Sequence, residues 1–209
     1  MFDGVDELDV IGPMEVFRHA ERRGCRLTTR LVTRVPVDEV TGSFGLRFRP
    51  DAVLEPGCDV LVVPGGNWVA RAETGAWGEV RRGDLLPALR AVAEQASVTA
   101  AVCTGALVLA AAGLVGSRPA ATHHNARADL AGYGATVVDA RVVDDGDLVT
   151  AGGVTSGIDL ALWLVERLFG TTYADAIADG IEHHRVRGVT AEQLLAPASP
   201  VPEAPAQCS

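Results

Sequence analysis

Cys103 is the residue of this sequence with the clearest potential for chemistry. It follows the apolar run 97–102 and precedes Thr104-Gly105 and a helical run closed by Gly113. The pattern predicts a strand, a sharp turn and a helix, with the thiol on the turn. The first amides of a helix favour a thiolate, and an elbow of this kind lifts the side chain towards a substrate. One interpretation is a nucleophile, and the other is a small buried cysteine.

Asp9 is the first candidate partner for that thiol. It stands just before a predicted helix over residues 11–23, which has Gly12-Pro13 at its start. An aspartate in that place is commonly a helix N-cap. Alternatively, its carboxylate projects beside Cys103. Like charges disfavour each other, so one of the two groups would then hold a proton that it could donate.

A glycine pair supplies a second group of candidates. Gly65-Gly66, followed by Asn67, ends a continuous apolar strand over residues 59–63. Because glycine admits unusual backbone angles, this loop could aim N–H groups at an oxyanion together with the amide of Thr104. The alternative is a plain tight turn.

Four of the five histidines stand in two adjacent pairs. His123-His124 could place a base or an ion-pair partner near the thiol, or could be two loop residues without a chemical role. His183-His184 stand near acidic residues in a manner that suggests a metal site. Adjacent positions on a helix point in different directions, however, so the sequence predicts no metal there.

Apolar runs alternate with helical patterns along the chain. Strands are predicted over residues 26–33, 42–49 (or a hairpin arm), 59–63, 97–102, 135–143 and 148–150, and helices over 11–23, 85–96, 106–112 and 156–169. Such alternation predicts an α/β fold with a mostly parallel sheet covered on both faces. Ligands bind beyond the carboxyl ends of such strands, so 65–66, 103–105 and 152–153 are expected to converge on one rim.

Composition limits the classes of function. The chain has 209 residues, of which 48% are apolar. This length and apolar content fit one domain over residues 1–190. Residues 191–209 form a Pro/Ala-rich tail that we expect to be disordered. The net charge of −9, without a basic cluster, disfavours nucleic-acid binding. No apolar run has the length of a membrane span and no basic signal segment opens the chain, so a cytoplasmic location is expected. The four cysteines form no Cys-x-x-Cys pair.

Taken together, these stretches resemble the ThiJ/PfpI family of the class I glutamine amidotransferase-like superfamily, and in particular its isonitrile (isocyanide) hydratase branch. The resemblance runs from Phe2 to about Gly170, and its carriers are residues 8–17, 63–66, 102–106, 121–123 and 152–159. It implies a flavodoxin-like three-layer sandwich and a homodimer. It also implies that Cys103 is the nucleophile, that Asp9 works beside it instead of capping the helix, and that oxyanion donors lie around Gly65-Gly66 and Thr104.

The leading hypothesis is a lyase without a cofactor or metal that hydrates a small isonitrile to an N-substituted formamide. Two other functions stay open. One is a ligand-sensing domain like that of AraC-type transcription regulators. The other is a redox or carbonyl-stress protein that acts through reversible oxidation of Cys103.

The sequence departs from the family pattern in three places that matter. Members begin with a strand ahead of Phe2, so we expect the natural chain to have about six to eight apolar residues upstream of it. Many hydratase-like members have Trp after the Thr-His pair, where this chain has His124. Members also tend to have a Pro-rich segment where this chain has residues 182–188. The last two changes alter walls of the substrate pocket.

Overall fold

The computed structural model describes residues 1–195, in which eight helices alternate with eleven mostly short strands. The helices are α1 (Glu7–Arg22), α2 (Ala76–Arg82), α3 (Leu85–Ala93), α4 (Gly105–Ala111), α5 (Arg127–Gly132), α6 (Ser156–Phe169), α7 (Thr171–Gly180) and α8 (Ala191–Leu195), with a 3-10 turn at His124–Ala126. The strands are β1 (Val32–Thr33), β2 (Val40–Thr41), β3 (Arg47–Phe48), β4 (Ala52–Val53), β5 (Val60–Val63), β6 (Val98–Ala101), β7 (Pro119–Ala120), β8 (Thr136–Val137), β9 (Val142–Asp145), β10 (Leu148–Ala151) and β11 (Val189–Thr190).

A five-stranded sheet in the order β11-β9-β10-β6-β5 forms the centre of the fold. All neighbours run parallel except β9 and β10, which form an antiparallel hairpin. Three two-stranded sheets, β1-β4, β2-β3 and β7-β8, lie apart from it. The sheet is therefore mostly parallel, as predicted, and β5, β6 and β10 end at one edge.

Helices cover both faces of this sheet, because alternate residues of a strand point to opposite sides. On β6, Ala101 packs in the core that contains Leu107 of α4. Its neighbour Ala100 packs on the other side in the core that contains Leu160 and Leu164 of α6. This three-layer α/β arrangement is the fold class predicted from the sequence.

Small residues let α1 and α6 approach each other closely. A methyl group on Gly12 would lie 3.1 Å from Cγ1 of Ile158, and one on Gly157 would lie 3.3 Å from the Pro13 ring. The close contact packs α1, whose first turn carries Asp9, against the start of α6, which follows the Gly152-Gly153 loop. It thus positions two parts of the candidate site.

The predicted boundaries of α1 were wrong. The helix begins at Glu7, four residues before the predicted start, because the Asp6 side chain accepts a hydrogen bond from the Leu8 amide and caps it. Asp9 therefore lies inside the first turn and is not the N-cap. Pro13, which was interpreted as a start signal, lies within the helix.

Two predicted strands also differ. Of residues 26–33 only β1 is a strand, and 135–143 divides between β8 and the start of β9, which belong to separate sheets. The alternating stretch 42–49 supplies one arm of a hairpin formed by β2 and β3. The first regular element is α1, and β5 pairs only with β6 among the described residues.

The predicted tail has an ordered beginning, since α8 occupies residues 191–195; the rest of the tail lies outside the described residues. No helix within residues 1–195 is long and apolar enough to cross a membrane.

Candidate active site

Cys103 occupies the turn between β6 and α4 in a left-handed backbone conformation, with φ of 56°. Few non-glycine residues adopt this conformation, and such strain concentrates at functional sites. Hydrogen bonds to the main chain of Cys103 hold this conformation on two sides. The Cys103 N–H donates to the Gly152 carbonyl at 2.9 Å, and the Thr122 hydroxyl donates to the Cys103 carbonyl at 2.8 Å. The side chain lies at the floor of the site, since the residue is only 5% exposed.

Asp9 faces this thiol from the first turn of α1. It is 1% exposed, and its Oδ2 accepts a hydrogen bond of 2.9 Å from the Gly65 amide. Its Oδ1 is buried and accepts no hydrogen bond of ordinary geometry within residues 1–195, although the Cys103 thiol lies against the carboxyl. Burial, and secondly the charge of Asp6, raise the pKa of Asp9 well above its ordinary value.

The thiol does not have the lowered pKa that its place at a helix N-terminus suggested. Burial, and then the neighbouring Asp9, raise the pKa of Cys103 to about 12. The backbone N–H groups of Val154 and Thr104 point at the sulfur and act in the opposite direction, but they do not outweigh burial. Both groups thus bind protons more tightly than they would in water, and the pair holds at least one proton at neutral pH.

The glycine loop packs directly onto the cysteine turn. A methyl group on Gly65 would lie 2.4 Å from Thr104 Oγ1, and one on Gly105 would lie 2.1 Å from the Val63 carbonyl oxygen. The Gly65 amide donates to Asp9, and the Gly66 amide donates to Thr104 Oγ1 at 2.9 Å. The two glycine amides predicted as oxyanion donors are therefore engaged by side chains, and the amides that face the sulfur are those of Thr104 and Val154.

The two histidines of the first pair lie at the edge of the site. The ring of His123 is half-buried, and a methyl group on Gly153 would lie 2.8 Å from its Cδ2. Burial, and secondly His124, lower the pKa of His123, so the ring is neutral at pH 7. His124 is exposed, and its ring stacks on that of His123 with centroids 4.3 Å apart.

The remaining predicted residues lie farther from the thiol. Asn67 is half-buried at the end of the glycine loop, with φ of 52° and its Cβ against Gly75. His183 Nε2 donates to Asp159 Oδ1, 2.9 Å away, and His184 is exposed. Within residues 1–195 no group of three His, Cys, Asp or Glu side chains is arranged to hold a metal ion.

Three residues of the site were not identified from the sequence. Val154 has φ of 36°, which is rare for a β-branched residue, and this conformation presents its amide to the sulfur. Asp6 caps α1 beside Asp9, and Thr122 anchors the Cys103 carbonyl. The position of Val154 directly after Gly152-Gly153 was the available signal, but the sequence does not reveal where a backbone N–H points.

Known proteins resemble this chain both in sequence and in fold. Residues 1–167 match the DJ-1/PfpI family. The chain is 37% identical over 185 residues to the isonitrile hydratase of Pseudomonas putida, which covers 88% of this chain and 76% of that enzyme. It is 29% identical over 153 residues to the HTH-type transcriptional regulator GbdR of Pseudomonas aeruginosa, covering 71% of this chain and 40% of the regulator.

Among solved structures, a ThiJ/PfpI family protein from Pseudomonas syringae superposes with a TM-score of 0.79 at 30% identity, covering 89% of this chain and 74% of that one. Sequence and structure therefore agree on the assignment, and the chain belongs to the DJ-1/PfpI family.

Proposed function

We propose that the protein hydrates an isonitrile to an N-substituted formamide, with Cys103 as the nucleophile and Asp9 as its proton carrier. The observation that carries this proposal is the buried pair of Cys103 and Asp9, in which the thiol lies against the carboxyl and the pKa of each group is raised. Adding a thiol across an isonitrile requires that one carbon receive both a sulfur and a proton. A pair that keeps its proton at neutral pH, beside the nucleophile, supplies both.

The reaction can be written from these groups alone. As sulfur bonds to the terminal isonitrile carbon, Asp9 takes the thiol proton and delivers it to that carbon, giving the thioimidate R–N=CH–S–Cys103. Water then adds to the C=N bond and forms R–NH–CH(OH)–S–Cys103. Cleavage of the C–S bond returns a proton to sulfur and releases R–NH–CHO, so one water is consumed and the enzyme is regenerated.

The surrounding groups favour these steps. The Thr104 and Val154 amides stabilise negative charge on sulfur during its attack and its departure. The Gly65 amide orients the Asp9 carboxyl, and Thr104 Oγ1 holds the glycine loop through Gly66. His123 is neutral, so it can accept a proton from the attacking water.

The other two functions have weaker support in the site. A redox sensor needs an accessible thiol of low pKa, whereas Cys103 is buried and its pKa is raised. A sensing domain needs no matched proton carrier beside the cysteine. The similarity to GbdR covers 40% of that regulator, so it supports at most a shared domain.

The decisive experiment is turnover of a simple alkyl isonitrile by the wild type and by Cys103→Ala, with the formamide measured by mass spectrometry. We expect Cys103→Ala to lose at least about a thousandfold in kcat while remaining folded, because losing a nucleophile costs several orders of magnitude. Residual activity above about a hundredth of the wild type would contradict covalent catalysis. Circular dichroism of both proteins checks the fold.

We also propose that the protein works as a homodimer, as the resemblance implied. Phe44 is 85% exposed and Leu46 is 46% exposed in the hairpin of β2 and β3. Glu7 Oε1 accepts hydrogen bonds from both of their amides, which fixes this apolar tip beside the start of α1. A second copy of the chain is the partner that would cover it.

We expect Phe44→Ser to shift the sedimentation profile towards the monomer at micromolar protein concentration. Leu168→Ser, at a position that is 49% exposed on α6, is the matched control and should sediment like the wild type. A wild type that sediments as a monomer at all concentrations would contradict the dimer.

A further inference from the structure

A cavity of about 240 Å³ lies beside the Gly152-Gly153 loop, and none of the roles given above uses it. Its lining includes His124, Arg127, Asp139, Arg141, Gly153 and Ser156. The volume is that of several water molecules, which is enough for a small organic group. Two guanidinium groups in one small cavity are unusual for a chain whose net charge is −9.

The guanidinium of Arg127 keeps donors that no protein group accepts within residues 1–195. One terminal nitrogen pairs with Asp139, and the buried Nε has no partner. Arginine has five N–H donors and no acceptor, so the terminal N–H groups that Asp139 leaves free can donate to a ligand in the cavity. Asp139 is 80% exposed, and water therefore screens much of its charge.

Arg141 adds a second, well-oriented cation. Its Nε donates to Asp159 at 2.6 Å, and one terminal nitrogen donates to Thr155 Oγ1 at 3.3 Å. Because these contacts hold the guanidinium in place, less side-chain entropy is lost when a ligand binds. The planar, multiply donating shape of guanidinium groups matches a carboxylate.

The cavity is joined to the cysteine turn through its walls. His124, which lines it, stacks on His123, and His123 packs against Gly153 at the edge of the thiol site. Thr122 also lines the cavity and donates to the Cys103 carbonyl. The cavity and the thiol site therefore share walls.

We propose that this cavity is a subsite that binds the carboxylate of the substrate, so that the preferred isonitriles carry a short acidic substituent. The inference rests on the proposed function for the isonitrile end of the ligand, but not for the carboxylate end. Isocyanoacetate is the smallest such substrate. Hydration converts it, with one water, to N-formylglycine.

Binding tests the cavity without any turnover. We expect N-formylglycine to bind the wild type in a calorimetric titration, and N-formylglycine methyl ester to bind at least about tenfold more weakly, because charge-assisted hydrogen bonds contribute about 1.5–3 kcal/mol. Arg127→Gln should remove most of this preference. Asp139→Asn is the matched control: it breaks the same ion pair but leaves the guanidinium, so N-formylglycine should bind it at least as tightly as the wild type.

Equal affinity for the acid and the ester in the wild type, or equal loss of acid binding in Arg127→Gln and Asp139→Asn, would overturn the proposal. Turnover then separates the subsite from the chemistry. We expect the wild type to prefer isocyanoacetate to its methyl ester in kcat/KM, and Arg127→Gln to reduce that ratio about tenfold. If neither isonitrile is hydrated while binding still depends on Arg127, the hydratase function fails and the carboxylate site stands.

Discussion

Two buried aspartates lie in the first turns of two helices but have opposite surroundings. Asp9 lies in the first turn of α1 and Asp159 in the first turn of α6, and each is 1% exposed. Asp159 is compensated on both oxygens: Arg141 donates to Oδ2, while the Val186 amide at 2.7 Å and the His183 ring at 2.9 Å contact Oδ1. Asp9 receives one backbone amide on Oδ2.

The difference supports a structural role for Asp159 and the catalytic role that we propose for Asp9. Asp159 ties Arg141, just before β9, and the segment around residues 183–186 to α6. Within residues 1–195 no cation pairs with Asp9, so burial raises its pKa and leaves it able to bind and release a proton. A buried carboxyl with incomplete hydrogen bonding, next to a strained cysteine, is therefore the better indicator of function.

Asp9→Asn is the strongest test of this difference between the two aspartates. We expect kcat for isonitrile hydration to fall about a hundredfold or more, because the amide keeps the shape but cannot carry a proton. Its unfolding midpoint in urea should stay equal to or above that of the wild type, since an amide still accepts from Gly65 and costs less to bury. Full activity with a lowered midpoint would make Asp9 a structural residue like Asp159.

Asp159→Asn should show the reverse pattern. Removing the charge leaves Arg141 and His183 without their common partner, so we expect a loss of about 2 kcal/mol in the free energy of unfolding. The value is below that for fully buried pairs because Arg141 is 35% exposed. Below its melting range, the variant should keep its hydration rate for an uncharged alkyl isonitrile within about threefold of the wild type, since such a substrate makes no use of Arg141. An unchanged urea midpoint would contradict the structural role.

The smallest expected effect is on the pH dependence of stability. The pKa of Asp9 is higher in the folded protein than in the unfolded chain, so the native state binds the extra proton between those two values. Stability from this group is therefore complete at low pH and is lost as pH rises through the raised pKa. We expect the free energy of unfolding of the wild type to fall more steeply than that of Asp9→Asn between pH 4 and pH 8 in urea titrations. Parallel curves for the two proteins would show that Asp9 titrates normally.

The sequence predicted the elements whose local pattern and tertiary environment agree. Helix α6 has the predicted bounds, and β5, β6 and β10 lie where continuous apolar runs placed them. It failed for residues 26–33, where the backbone is tied to α1 by side chains: Glu21 accepts from the Thr29 amide and Arg18 donates to the Thr29 carbonyl. Such hydrogen bonds between side chains of α1 and the main chain of Thr29 leave no periodic pattern in the sequence.

The sequence by itself determined the central strands β5, β6 and β10, the elbow that carries Cys103, and the convergence of the glycine loop and that elbow on one rim. Each of these follows from local patterns of apolar, small and turn-forming residues. The tertiary structure alone decided that Asp6 caps α1 at Glu7, that the glycine amides are occupied, and that Val154 supplies an amide to the sulfur. It also decided the direction of both pKa shifts, because desolvation depends on everything packed around a group and not on its neighbours in the chain.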